Sequence, residues 1–412
     1  MRLIATRTRR TRPGAGLPRP FWVVWAAATV SFLGDGIYSG AVPLLATSIT
    51  TDPGQVALTT VLSRSGWIAV GLISGVLVDR WSKTRVMWRV DVARGLVVAV
   101  FAALTLMGHH SMAVLYGVSL LLGLGAPLFD IASTAALPRL VGTLALDRAN
   151  SWNQTSLLLG ATLIGPPLGA ALFLLGPGVP LAAQAASFLV AAALVATLGR
   201  IRTGLTATPA ERSLRRELVD GLRYLVGHRL LRTLALLLAA INAATGCVLA
   251  LLVLYVLGVL QCPEAAYGWL VAVFAVGGLV GAVVVPTLRA TLGTSTAILL
   301  AAALFAGGTL LMALLPQQPV VIVGIIASGV GSSLWNVITL ALRQRVVPAD
   351  LQGRVTASYR MVGLGALPIG AAAGGLMATQ TSVQSAYLIA GLALMVATVV
   401  AVRPLRASLA AR

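Results

Sequence analysis

The chain has 412 residues, 58% of them hydrophobic and 10% charged, with 30 Lys and Arg against 11 Asp and Glu for a formal net charge of +19. Soluble domains carry about a quarter of their residues as charges, so this composition excludes a soluble chain of several domains with charged surfaces. The apolar residues fall instead in runs of about 20 or more, enough to cross a hydrocarbon layer roughly 30 Å thick. Where no water reaches the backbone, runs of that length must be helices, because a barrel needs short alternating strands.

Twelve spans are predicted, at residues 21–47, 56–78, 87–108, 112–138, 149–175, 179–199, 230–258, 265–288, 293–315, 319–345, 353–378 and 382–402. Before them lies a basic tail, 1–20, with Arg2, Arg7, Arg9, Arg10, Arg12 and Arg19. The apolar run that follows is too long for a cleaved signal peptide, and the tail reads as a cytoplasmic anchor. Basic residues recur at every second connection: Arg80, Lys83 and Arg85; Arg139 and Arg148; the central cluster from Arg200 to Arg223; Arg289; Arg345 and Arg354; and Arg403, Arg406 and Arg412. The opposite connections, near 48–55, 109–111, 176–178, 259–264, 316–318 and 379–381, hold no Lys or Arg. That alternation predicts both termini in the cytoplasm. It also assigns the positive charge to one membrane face and not to nucleic acid.

A shift of 206 residues superimposes the halves. Gly71, Gly75, Lys83, Gly123, Gly125, Arg139, Arg148 and Gly169 meet Gly277, Gly281, Arg289, Gly329, Gly331, Arg345, Arg354 and Gly375, and Phe129-Asp130 meets Trp335-Asn336. A parallel repeat of this kind predicts an all-α polytopic protein of two pseudo-symmetric six-helix bundles, 21–199 and 229–402. A polar linker at 200–228, able to form an amphipathic surface helix, joins them, and a short basic tail, 403–412, closes the chain.

Cys247 and Cys262 would stand ~22 Å apart along one helix, beyond disulfide reach. No His, Cys and carboxylate set has metal-site spacing, and no Gly-rich loop with a lysine is present. The expectation is therefore no metal, no cofactor and no ATP site. No nucleophile–base constellation points to an enzyme.

Charges inside spans are the residues to explain, because an ionisable group in a bilayer is functional by default. Asp35 lies between Gly34 and Gly36 in the first span, Arg64 in the second and Asp130 in the fourth. None of the three has a local partner. Asp91 and Arg94, one turn apart in the third span, are expected to pair with each other.

The run Gly75-Val-Leu-Val-Asp79-Arg80-Trp-Ser-Lys83-Thr-Arg85 resembles the loop between helices two and three of major facilitator transporters, with Ser82 in place of its usual second Gly. Four further stretches narrow the resemblance: Gly34-Asp35-Gly36; Asp91-Val-Ala-Arg94; Phe129-Asp130 through Pro138-Arg139; and Arg148-Ala149-Asn150. They are similar to the branch holding enterobactin-type siderophore exporters and macrolide or multidrug efflux proteins. The resemblance implies a monomeric transporter of the inner or plasma membrane. It would export a drug, antibiotic or siderophore-like product by alternating access in exchange for protons. An importer or symporter of the same fold, and a membrane scaffold or sensor without transport, are the alternatives.

The same resemblance makes Gly75, Asp79, Arg80, Lys83 and Arg85, with Arg139 and Arg148, a cytoplasmic latch that meets the eleventh span near Arg354. Gly160, Gly165, Pro166, Pro167 and Gly169 would form a bend in the fifth span. Prolines favour a kink there, and small residues allow close packing. Spans one and four line the cavity of this fold, so Asp35, Arg64 and Asp130 are proton-coupling candidates, with a packing network as the rival role. Efflux relatives often place an Arg four residues before a Gly in the fourth span; here the position before Gly123 is Ser119. Tyr38, Trp67, Trp152, Asn153 and Gln154 from the first half, and Asn242, Trp335, Asn336 and Arg360 from the second, are the candidate cavity lining.

Overall fold

The computed structural model describes residues 17–69, 81–142, 145–198, 214–348 and 351–410. Gly75, Asp79, Arg80 and the side chain of Arg139 lie outside the described residues, so the latch is not placed. Among them every long element is a helix: Arg19–Ile49, Pro53–Ala69, Lys83–Leu106, Met112–Val141, Leu146–Phe173, Val179–Ala196, Arg229–Val259, Glu264–Leu314, Gln318–Val346, Gln352–Gln380 and Val383–Ala410. The 51-residue helix is two spans in one, broken at Gly293, whose φ of 71° and ψ of 164° leave the helical region. Only glycine adopts that backbone without strain. The elements thus supply twelve spans, and a shorter helix, Leu214–Gly227, fills the second part of the linker.

Two boundaries differ from expectation. The last helix runs on past 402 to Ala410, carrying Pro404 inside it, so most of the predicted tail is helical. The fifth span is not one continuous α-helix. Its residues Leu158–Ile164 form a π-helix, with the Gly165 N–H donating to the carbonyl of Gly160. Pro166 and Pro167 have no N–H to offer the preceding turn, and the ladder slips to i→i−5 before restarting as an α-helix at Gly165. The slip sits where the fifth span crosses the first: a Cβ on Gly36 would stand 2.8 Å from the Cα of Gly165. Two bare glycines allow backbone to meet backbone there.

Outward faces are apolar. Leu106, Leu174, Leu236, Val283, Leu376 and Val400 are between 61% and 79% exposed. In water such a surface would drive aggregation; facing lipid it has no such cost. Inside, one buried cluster around Leu231, Phe305, Trp335 and Tyr359 belongs to the last six spans, and another around Phe32, Met87 and Phe129 to the first six.

The halves touch through the second span on the eleventh and seventh, the fifth on the eighth, and more lightly the first on the seventh and eighth. Among the described residues, every side-chain hydrogen bond between the halves lies toward the membrane face away from the termini. Asp52 Oδ1 caps the second span, accepting from the N–H groups of Gly54 at 2.7 Å and Gln55 at 3.2 Å. Thr379 Oγ1, from the eleventh span, accepts from the Gly54 N–H at 3.1 Å and donates to Asp52 Oδ1 at 3.4 Å. The Tyr267 hydroxyl donates to the carbonyl of Ser39 at 3.3 Å. At the other end Arg354 pairs with Asp220 of the linker helix at 3.9 Å.

Candidate functional site

Between the halves lies a cavity of about 620 Å³, lined from both. The first, second and fourth spans bring Asp35, Tyr38, Arg64, Trp67 and Asp130 to it, and the eleventh brings Arg360. Phe32, Phe129, Phe274 and Phe305 supply apolar wall. A concave, mostly apolar chamber with a few polar groups is the form that small-molecule sites take.

Arg94 organises the charges. Its guanidinium donates to Asp35 Oδ1 in a very short ion pair and lies 3.8 Å from Asp91 Oδ1. It also stacks on Phe188, with its carbon 4.1 Å from the ring centroid. Asp91 is fully buried and accepts from the Ser31 hydroxyl at 3.3 Å. The expected pairing of Asp91 with Arg94 is present, and Arg94 also reaches across to Asp35, so that it holds both carboxylates. Asp35 has no partner on its own helix; the one it finds, on the third span, is Arg94 and not Arg64. Spacing one turn apart favoured the local pair, but the tertiary partner 59 residues away has the better geometry. The fourth span makes room for this: a Cβ on Gly125 would lie 2.9 Å from the Arg94 Cδ.

Arg64 opens onto the cavity and makes no hydrogen bond or ion pair among the described residues. The Asp130 carboxylate also accepts no hydrogen bond among them, and the opposing charge that acts on it is Arg360. Arg360 lies over Trp67, 5.8 Å from its ring centroid, so a cation of one half faces an aromatic ring of the other. Ser119, four residues before Gly123, is bonded to the Tyr38 hydroxyl at 2.9 Å.

Six predicted lining residues lie elsewhere. Asn153 is buried in the fifth span away from the cavity and Gln154 is exposed. Asn242 donates to the carbonyl of Gly363 at 3.0 Å, tying the seventh span to the eleventh. Trp335 sits in the core of the last six spans, and Asn336 is exposed with its amide turned back to the carbonyl of Ser332 at 2.9 Å. Trp152 joins Trp22 and Trp25 in an edge-to-face triad, with centroids 5.5–5.6 Å apart. Lys83 is buried near the start of the third span, while Arg85 and Arg148 are exposed. Sequence reasoning missed Tyr267, Thr245, Thr309 and Ser328 as polar lining. Nothing local marks them, because each is a hydroxyl in an apolar run. No His, Cys, Asp and Glu cluster able to hold a metal is present among the described residues.

Comparison with known proteins fits this arrangement. The family described as transmembrane secretion effector matches residues 18–410. The enterobactin exporter EntS of Escherichia coli is 29% identical over 379 residues, covering 89% of this chain and 87% of EntS. Among solved structures, a bacterial homologue of the iron transporter ferroportin in its inward-facing state superimposes with a TM-score of 0.73 at 22% identity, covering 95% of this chain and all of that one. The nucleoside transporter NupG gives a TM-score of 0.73 at 12% identity, over 94% of this chain and 99% of its own. These proteins are transporters and not enzymes. The chain is a multi-pass membrane transporter of the major facilitator fold and belongs to the transmembrane secretion effector family.

Proposed function

We propose that this transporter exports a small organic molecule across the inner or plasma membrane by alternating access, in exchange for protons. The observation that carries the reading is a central cavity, lined from both halves and holding Asp35 and Asp130, with the side-chain hydrogen bonds between the halves, among the described residues, at one membrane face. The similarity to EntS favours export over import. With the termini in the cytoplasm, the joined face is the outer one, and this conformer is the inward-facing member of the cycle. Proton exchange is supported by charge bookkeeping: Asp35, Asp91 and one Arg94 carry a net negative charge when all are ionised, and one proton neutralises the set. No metal or organic cofactor has a role in this scheme.

The direct test loads purified protein into liposomes with an imposed pH gradient and screens antibiotics, dyes and siderophores for gradient-driven movement. Dissipation of the gradient should abolish accumulation. Movement that continues unchanged removes proton exchange, and absence of any movement removes transport.

The orientation has its own test. In a Cys-free background, Ser111→Cys and Gln317→Cys should react with an impermeant thiol reagent in intact cells, and Ser82→Cys should stay protected. The reverse labelling would put the termini outside and exchange the two faces of the cavity.

A further inference from the structure

We propose that the solute is an organic anion with an aromatic body, its charge held by Arg64, a reading that rests on the transport role above. Three observations meet at this residue. Arg64 faces the cavity, and its five N–H donors are unused among the described residues. The carboxylate that acts on it, Asp35, is held by another guanidinium. Asp35 accepts from Arg94, Asp91 is held behind the same guanidinium, and Asp130 lies in the field of Arg360. Asp35 acts on Arg64 only through its field, without a hydrogen bond.

Third, the neighbourhood of Arg64 repeats one chemistry. Trp67 is three residues on, on the same face of the second span, and Arg360 of the eleventh span stacks over its ring at 5.8 Å. A flat solute with a carboxylate, sulfonate or phosphate therefore meets an aromatic ring and two guanidinium groups, one from each half. Guanidinium matches such oxyanions with paired N–H donors, which a lone ammonium cannot do. Against mostly apolar walls an unpaired cation is costly, so an arriving anion is stabilised by what it neutralises. The cavity, about 620 Å³, is large enough for a dye-sized molecule.

The test uses two dyes with one xanthene frame and opposite charge: anionic 5-carboxyfluorescein and cationic rhodamine 123. Fluorescence polarisation on the purified full-length protein should give at least about tenfold tighter binding of carboxyfluorescein. Arg64→Gln should weaken carboxyfluorescein by roughly tenfold to a hundredfold, as loss of a charged hydrogen-bond donor does. Arg64→Lys should recover part of that loss, and rhodamine 123 should bind the Gln variant no more weakly than the wild type. Tighter binding of rhodamine 123, indifference of carboxyfluorescein to Arg64→Gln, or no binding of either dye overturns the proposal. If the Gln variant does not fold, the wild-type preference between dyes still decides. Liposomes with trapped dye separate the two claims. Arg64-dependent binding of carboxyfluorescein without movement leaves the anion site standing and removes transport. Movement of rhodamine 123 alone does the opposite.

Discussion

An Asp35→Asn chain is expected to insert, fold and bind its solute, yet to lose uphill transport driven by a pH gradient. Removing one partner of a buried ion pair usually costs about 3–5 kcal/mol because the other charge is left stranded. Two features reduce that here. Asp35 is 31% exposed to the cavity, and Asp91 remains 3.8 Å from Arg94. The amide oxygen of Asn also still accepts from the guanidinium. We therefore expect a thermal midpoint lowered by only a few degrees, the equivalent of about 1–2 kcal/mol in a chain of this size. Coupling should suffer far more. A proton carrier must be neutral in one state and charged in the other, and Asn is fixed in the neutral form. Counterflow and downhill equilibration should persist while accumulation against a gradient falls to background. Asp130→Asn is the control, since its repeat mate is already Asn336. Retained uphill transport in Asp35→Asn with loss in Asp130→Asn would move the proton to Asp130. Full coupling in both would remove proton exchange altogether.

The span pattern was legible because lipid imposes it. Long apolar runs and the one-sided distribution of Arg are properties of single segments, readable without knowing any contact. The Gly160–Gly169 stretch was legible as an interruption for the same reason: two prolines withdraw two donors wherever they sit. Its form was not. Whether the freed carbonyls open a kink or slip into a π-turn depends on the first span, whose Gly36 backs onto Gly165. The site divided along the same line. Asp35, Arg64 and Asp130 stood out because charge is rare within spans, and the cavity gathers all three. The partner of Asp35 could not be read, because packing and not spacing brings Arg94 to Asp35 as well as to Asp91. Asn336 shows the limit of the repeat. The shift of 206 fixed its register against Asp130, but not which residues of each half face the cavity. In this conformer Asp130 lines it and Asn336 turns to its own helix.

Gly268→Leu should hold the transporter open at the face that is joined here, and cut transport by at least about tenfold. Gly268 begins the eighth span where it meets the fifth. A Cβ there would stand 2.8 Å from the Cα of Pro167 and 2.9 Å from the Cβ of Ala170. Both belong to a helix start fixed by two prolines, so neither can swing aside as a long side chain would. Overpacking of a tight contact typically costs about 1–3 kcal/mol, and the penalty applies only to the conformer in which the halves touch at this point. Alternating states are separated by a few kcal/mol, so a bias of that size changes the population ratio by roughly ten- to a hundredfold. The protein has no need to unfold to relieve the clash; it need only stay in the other state. Spin labels at Gln55→Cys and Thr381→Cys, flanking the Asp52–Thr379 contact, would report a longer distance in the variant. Gly117→Leu, at a glycine with open space around it, should leave both distance and transport unchanged. Wild-type transport by Gly268→Leu, with the label distance unmoved, would show that the two halves never need to meet at this crossing, and the gate would have to be sought elsewhere.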